Sequence, residues 1–218
     1  MRPKLAAGTR AQSLGEEIAN SISHGVALLA MLIATPLLIM HSLRRGSAWL
    51  VAGAGIFATT VLLLYLSSTQ YHALAAGKAK RVFRIIEHAS IFLLIAGTYT
   101  PFTLGVLRGT WGWTLFGLVW GLAAAGVVLK AFFTGAHPVL STALYLLMGW
   151  LIVVAADPLI ARVPKAGLLW LLAGGLCYTA GVGFFAADSR LRYGHLVWHL
   201  FVIAGTACHY CAVLWYAA

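Results

Sequence analysis

Two histidines four residues apart, His195 and His199, open the last apolar stretch of the chain, residues 194–216. On a helix, residues at this spacing lie on one face, with their Cβ atoms about 5–6 Å apart. Two imidazoles placed in this way can hold one metal ion, as the histidines of helical zinc-enzyme motifs do. Ionisable side chains are costly within a membrane and mark candidate functional sites there. We therefore expect a metal site at the start of this stretch.

Ser68 and His72 have the same spacing at the end of an earlier apolar stretch. His72, His195 and His199 would supply three neutral nitrogen ligands and leave the fourth tetrahedral position to water, which is typical of catalytic zinc. Zinc suits this set best, although imidazole also binds iron, nickel and copper. Glu87 could hold or deprotonate the water, and Ser68 could donate a hydrogen bond to it or to a developing oxyanion.

The same residues have a plainer interpretation, because histidines within a helical bundle commonly form hydrogen bonds between helices. Glu17, Asn20 and His24 also share one helix face, at the start of the first apolar stretch. They could orient the metal ligands from outside. Alternatively, Glu17 and Asn20 could cap a helix that begins at the membrane interface.

The remaining candidates are interpreted as packing or solvated groups. Three residues of the last apolar stretch are assigned to core packing: Cys208, His209 and Cys211. His88 follows Glu87 directly and would point about 100° away from it on a helix, so we expect it to face lipid or a neighbouring helix. His41 and His137 fall in connecting regions and are expected to be solvated.

The composition indicates an all-α membrane protein, because 61% of the residues are hydrophobic and 9% are charged, against about 25% charged in soluble domains. Apolar stretches of suitable length predict a bundle of seven transmembrane helices. The predicted spans are approximately 20–40, 48–71, 87–106, 112–132, 138–156, 167–187 and 194–216. They form a single domain, residues 20–216, which follows a short N-terminal segment, residues 1–19.

The distribution of Lys and Arg predicts the orientation of this bundle. Most of the basic residues fall on the side of the N-terminus: Arg2, Lys4, Arg10, Lys78, Lys80, Arg81, Arg84, Lys130, Arg190 and Arg192. Cytoplasmic loops are enriched in these residues, so the N-terminus is predicted in the cytoplasm and the C-terminus outside. This topology brings the histidines, Glu87 and Ser68 to one level near the cytoplasmic face. The basic excess is thus explained by topology, and we expect no nucleic-acid partner.

Four segments resemble the hemolysin III proteins, the bacterial branch of the progestin and adiponectin receptor superfamily. The segments are residues 16–24, 67–72, 87–102 and 195–199, and they follow the family's order over nearly the whole chain. The resemblance implies seven spans with the N-terminus inside, and zinc near the cytoplasmic face. It assigns the zinc ligands to His72, His195 and His199, and places the family's serine and acidic residue at Ser68 and Glu87.

One position departs from the family pattern, because the family usually has Asp where this chain has Glu87. The additional methylene would let the carboxylate reach the metal directly instead of through a water molecule. Both roles for Glu87, ligand and base, are therefore open at this stage.

Three functions are compatible with these residues. The first is a zinc-dependent hydrolase of the cell membrane that acts on a lipid amide or ester near the cytoplasmic leaflet. The second is a non-enzymatic sensor or regulator of membrane lipids, in which zinc is structural. The third, pore formation, is disfavoured because a secreted pore-forming protein must be soluble before insertion, and this chain is too apolar. Membrane lipids are the expected partners in the first two cases, and the sequence does not specify an oligomeric state.

Overall fold

The computed structural model describes residues 10–133 and 138–217, and every regular element within these ranges is helical. The helices are α1 (Leu14–Arg44), α2 (Ala48–Ala73), α3 (Lys78–Leu104), α4 (Thr110–Phe133), α5 (Pro138–Trp150), α6 (Ala156–Arg162), α7 (Lys165–Ala187) and α8 (Gly194–Tyr216). A 3₁₀ segment, Leu151–Ala155, joins α5 to α6.

Seven segments of the described chain are long and apolar enough to cross a membrane, with α5, the 3₁₀ segment and α6 together forming the fifth. The predicted all-α bundle of seven spans is confirmed. The orientation of the bundle relative to the membrane stays a prediction. His137 and the beginning of the N-terminal segment lie outside the described residues.

Helix α1 begins at Leu14, several residues before the predicted span. Ser13 caps it: its hydroxyl accepts a hydrogen bond from the Glu16 backbone N–H, and the Glu16 carboxylate accepts one from the Ser13 N–H at 2.9 Å. This reciprocal capping box satisfies two donors at the helix end. Glu17 and Asn20 therefore lie inside the helix and do not cap it.

Helices α2 and α3 pack closely because small residues lie between them. A side chain at Gly97 on α3 would collide with Thr60 on α2, and one at Gly53 would meet the backbone of Pro101 at 2.8 Å. Close backbone approach over small residues is a common way for membrane helices to associate. The contact brings the C-terminal end of α2 beside the N-terminal half of α3.

The fifth span is broken near its middle, although the sequence predicts it as one continuous helix. The Tyr99 hydroxyl of α3 lies 2.8 Å from the Met148 carbonyl and 2.9 Å from that of Gly149, and it accepts a hydrogen bond from the Ile152 N–H at 2.8 Å. Backbone groups freed by a helix break inside a membrane need such internal partners. Tyr99 thus makes the break tolerable.

The start of α8 is tied to the start of α1. Tyr193, which precedes α8, has a left-handed backbone conformation with φ of 58°, and its N–H donates to Glu16 at 2.8 Å. Arg10 binds the same carboxylate through both terminal nitrogens. These hydrogen bonds raise the pKa of Arg10, so this ion pair persists across the neutral pH range. The contacts bring the first turns of α1 and α8 together.

Candidate metal centre

Four side chains that can bind a metal converge at the end of the bundle where α1, α3 and α8 begin. They are His72 of α2, Glu87 of α3, and His195 and His199 of α8, and one donor atom of each lies within 4.8 Å of those of the others. His72, Glu87 and His199 are buried, and His195 is partly buried. Residues that are distant in sequence thus form one compact donor set.

Local geometry within the helices explains much of this convergence. His195 and His199 lie one turn apart on α8, and their ring centroids are 4.8 Å apart. The ring of His72 lies 5.1 Å from each of them, because the last turn of α2 faces the first turns of α8. Glu87 approaches from α3, with its Oε1 3.5 Å from His72 Nε2.

Each histidine of the cluster has its Nδ1 next to a side-chain oxygen. His72 Nδ1 lies 2.7 Å from a carboxylate oxygen of Glu17, and His195 Nδ1 lies 3.1 Å from Asp188 Oδ2. A carboxylate oxygen can only accept, so Nδ1 carries the proton in both rings. In each ring, Nε2 is left as the nitrogen with a lone pair.

His199 reaches the same state through a hydroxyl group. Its Nδ1 lies 3.0 Å from Ser23 Oγ, and that hydroxyl donates its own hydrogen to the Asn20 carbonyl at 2.8 Å. The Ser23 oxygen therefore accepts from His199 Nδ1. Metal-bound histidines usually show this arrangement, in which the second ring nitrogen donates to an oxygen that fixes the ring.

The site has the properties expected of a cation site. His72 Nε2 is buried and has no hydrogen-bond partner, which is costly for a polar atom unless something else binds it. Glu87 is a buried carboxylate in the same cluster, and a buried charge needs a counter-charge. A divalent cation between the three Nε2 atoms and Glu87 would satisfy both requirements.

Ser68 contacts Glu87 and is fully buried. Its hydroxyl donates to Glu87 Oε1 at 2.7 Å. The other carboxylate oxygen, Oε2, lies 3.5 Å from His88 Nδ1. In this arrangement Ser68 orients the carboxylate, whereas the sequence had suggested a hydrogen bond to water or an oxyanion.

The three candidates on α1 have different positions. Glu17 holds His72 and also accepts a hydrogen bond from Lys80 Nζ at 2.8 Å. His24 stacks on the ring of His199, with centroids 3.7 Å apart and planes 1° from parallel. The Asn20 side-chain amide donates to Gln12, and only its backbone carbonyl supports the site, through Ser23.

Sequence reasoning missed Ser23, Lys80 and Asp188. Asp188 had a usable signal, because the chain has only five acidic residues and this one precedes the histidine pair by seven positions. Ser23 and Lys80 had none, since serine beside a helical histidine and lysine at a membrane interface are both common. Their roles depend on contacts between helices.

A long apolar cavity adjoins the cluster. It lies between α3, α5, α7 and α8; its cavity volume is about 100 Å³, and the wider empty space, open solvent included, is about 960 Å³. Glu87, His195 and His199 line one end of it, and His24 and His88 also contribute. A second cavity continues toward the opposite end of the bundle and shares several lining residues with the first. The donor cluster thus opens onto an apolar cavity.

Two histidines outside the cluster differ from expectation. His88 was expected to face lipid or a neighbouring helix, but it also lines the cavity. Its Nδ1 donates to the Arg84 carbonyl at 2.8 Å. His41 lies within α1 and is partly buried, because the helix continues to Arg44. Cys208 and Cys211 carry free thiols on α8.

The fold and the site together define a multi-pass membrane protein with a buried His/Glu cluster that could hold a metal ion. The sequence profile of the family described as "Haemolysin-III related" matches residues 12–210, and the chain belongs to this family.

Similar proteins extend over almost the full chain. The "Hemolysin-3 homolog" of Bacillus subtilis is 44% identical over 204 residues, which cover 94% of this chain and 95% of that protein. The "Hemolysin-3" of Bacillus cereus is 42% identical over 205 residues, or 94% and 93% of the two chains.

A more distant relative links the chain to the progestin and adiponectin receptor superfamily. The human "Monocyte to macrophage differentiation factor" is 28% identical over 210 residues, covering 91% of this chain and 83% of that protein. No solved structure matches the chain significantly.

Proposed function

We propose that the protein is a zinc-dependent hydrolase of the cell membrane that cleaves a lipid amide or ester near the cytoplasmic leaflet. The observation that carries the proposal is the convergence of three oriented histidines and a carboxylate at one end of a long apolar cavity. The predicted orientation, with the N-terminus inside, places this cluster near the cytoplasmic face.

In this proposal His72, His195 and His199 hold the ion through their Nε2 atoms. A bound zinc ion would supply Lewis acidity, which polarises a carbonyl oxygen and generates hydroxide from water at neutral pH. The hydrogen bonds from Nδ1 to Glu17, Asp188 and Ser23 keep the three rings in position.

Glu87 is suited to accept a proton from the attacking water and pass it to the leaving group. One of its carboxylate oxygens is within 4.8 Å of the other donor atoms, and Oε1 accepts from Ser68, which holds the carboxylate in place beside the cluster. The apolar walls of the cavity would bind the chain of the lipid and exclude bulk water from the reacting bond.

A second function, a lipid sensor with a structural metal, is favoured by one observation. Glu87 belongs to the same compact donor set as the histidines. Three histidines and a directly bound carboxylate complete a tetrahedron, which is typical of structural zinc, whereas catalytic zinc keeps one position open. The role of Glu87 therefore separates the two functions.

The test combines metal content and lipid turnover in purified protein. Elemental analysis is expected to find about one zinc per chain in the wild type and none in His199→Ala. Glu87→Gln, which preserves shape, is expected to retain zinc and to lose hydrolysis of fluorogenic long-chain amides and esters. Loss of zinc from Glu87→Gln, with no turnover of any such lipid by the zinc-loaded wild type, would favour the sensor. Absence of stoichiometric metal from wild-type protein purified without chelator would refute both proposals.

A further inference from the structure

A single imidazole lies deep in the apolar cavity, away from the metal cluster. His209 of α8 lines both the first cavity and its continuation, and only 7% of the residue is exposed. Its Nδ1 lies 2.8 Å from the Gly205 carbonyl. Because a carbonyl oxygen only accepts, Nδ1 donates, and the neutral ring then offers Nε2 as an acceptor.

The ring of His209 is fixed in place. One face stacks on Tyr178, with centroids 5.2 Å apart and planes 12° from parallel. The backbone of Gly174 lies directly against the ring, since any side chain at that position would collide with it. The described residues provide no hydrogen-bond partner for Nε2. Because His209 lines the cavity, its Nε2 is open to a hydrogen-bond donor from outside the protein.

The neighbouring polar groups cannot supply that partner, because their hydrogens are already used. The Thr98 hydroxyl donates to Leu94 at 2.8 Å, and the Thr179 hydroxyl donates to Gly175 at 2.8 Å. Trp150 Nε1 donates to Thr179 at 3.0 Å. The Tyr99 hydroxyl donates to the backbone at the break in the fifth span. The Tyr178 hydroxyl is paired with Thr206 Oγ1 at 2.9 Å. None of these groups donates to His209 Nε2, which is left as an acceptor for a ligand that brings a donor.

The distance from the metal cluster limits the kind of ligand. His209 lies ten residues beyond His199 on α8, which corresponds to about 15 Å along the helix axis. Apolar side chains line the wall between them, including Leu64, Leu94 and Val202. An extended alkyl chain is suited to this wall, and a polar group is suited only to its two ends.

We propose that His209 recognises a hydroxyl group carried within the alkyl chain of the lipid that occupies the cavity. The hydroxyl donates to Nε2 while the head of the lipid lies at the metal cluster. The inference rests on the lipid ligand of the proposed function but does not require hydrolysis. It assigns a substrate class, chain-hydroxylated lipids, to an otherwise apolar cavity.

The expected effect is a modest preference. A net buried hydrogen bond corresponds to roughly a two- to tenfold change in affinity. The preference should depend on the position of the hydroxyl, because the ring is fixed and the chain has a defined starting point at the metal cluster.

The experiment measures displacement of a fluorescent polyene fatty acid from the full chain in lipid nanodiscs. The competitors are stearic acid and the positional series of its monohydroxy derivatives. The wild type is expected to bind a narrow run of positional isomers more tightly than stearic acid. His209→Leu should lose this preference, and Cys208→Ala, a neighbouring change outside the cavity lining, should keep it.

The decisive quantity is the ratio of the affinities for the hydroxylated acid and for stearic acid. A general packing defect lowers both affinities alike, so its effect cancels in the ratio. Equal binding of all isomers by the wild type would overturn the proposal and identify water as the partner of Nε2. A preference that persists in His209→Leu would also overturn it. If His209→Leu does not fold, the positional profile of the wild type decides alone: a single peak supports the proposal and a flat profile refutes it.

Binding and turnover measured together in the zinc-loaded wild type separate this inference from the hydrolase proposal. Hydrolysis without a hydroxyl preference would refute the inference alone. A preference without hydrolysis in the zinc-loaded wild type would refute the hydrolase proposal alone.

Discussion

Replacing Glu17 with Gln tests whether the hydrogen bonds to Nδ1 build the metal centre. Glu17 holds His72 Nδ1 at 2.7 Å and binds Lys80 at 2.8 Å, so one carboxylate orients a ligand and pairs with a cation. Gln has the same shape but no charge, which weakens the bond to His72 and leaves Lys80 without its carboxylate. His72 becomes less basic and less firmly oriented as a ligand.

The size of the effect follows from the position of Glu17, which is hydrogen-bonded to the proposed metal ligand His72 and does not itself bind the metal. Changes at such positions lower metal affinity about 10- to 100-fold. This corresponds to about 1.4–2.7 kcal/mol of binding free energy. Because a metal that binds only the folded state stabilises it by mass action, the same loss appears as a lower melting temperature at a fixed excess of zinc.

The assay is competition for zinc between the detergent-purified protein and a chromophoric chelator. Asp157→Asn is the matched control, since it also neutralises a carboxylate but lies in α6, the short helix that completes the fifth span beyond its break. We expect weaker zinc binding for Glu17→Gln and unchanged binding for Asp157→Asn. Wild-type affinity in Glu17→Gln, or equal losses in the two variants, would refute the assignment of Glu17 as the residue that orients His72.

Two further substitutions test the carboxylate and the helix packing. Ser68→Ala removes the hydrogen bond to Glu87 and is expected to keep zinc but reduce turnover roughly 10- to 100-fold, so unchanged turnover with bound zinc would contradict the orienting role. Gly97→Ala places a methyl group against Thr60 and is expected to destabilise the bundle by about 1–3 kcal/mol through overpacking. Thermal unfolding measures the effect, with Gly117→Ala as the control because a side chain at that position meets open space. Equal stability of the two glycine variants would show that α2 and α3 can separate without cost.

Most of the few acidic residues of the chain lie around the histidine cluster. The chain has five, and three of them, Glu17, Glu87 and Asp188, surround the histidines. Glu16 ties the first turn of α1 to the start of α8. Such a concentration of carboxylates in an apolar bundle is expensive unless cations balance it. Lys80 and the proposed zinc ion supply that balance.

Several features could be predicted from the sequence because they depend on patterns local to a helix. Apolar stretches of membrane-spanning length predicted the seven spans, since every backbone polar group in lipid must be paired within a helix. The i, i+4 spacing of His195 and His199 predicted their shared face, since 3.6 residues form one turn. The positive-inside pattern predicted that His72, Glu87 and the α8 histidines share one membrane level, and the structure brings them together.

Other features were decided only by the tertiary structure, because they arise from side chains that meet across helices. The break in the fifth span depends on the Tyr99 hydroxyl, which is supplied by α3. The roles of Ser23 and Asp188 depend on which oxygen lies beside each Nδ1, and the contact of Ser68 with Glu87 depends on how closely α2 and α3 approach. The sequence by itself determined the seven apolar helices, and it predicted the metal-binding candidates and their common level along the bundle. The packing of the helices decided which atom of each ligand faces the centre and what cavity leads to it, because those properties depend on distances between helices that no local pattern encodes.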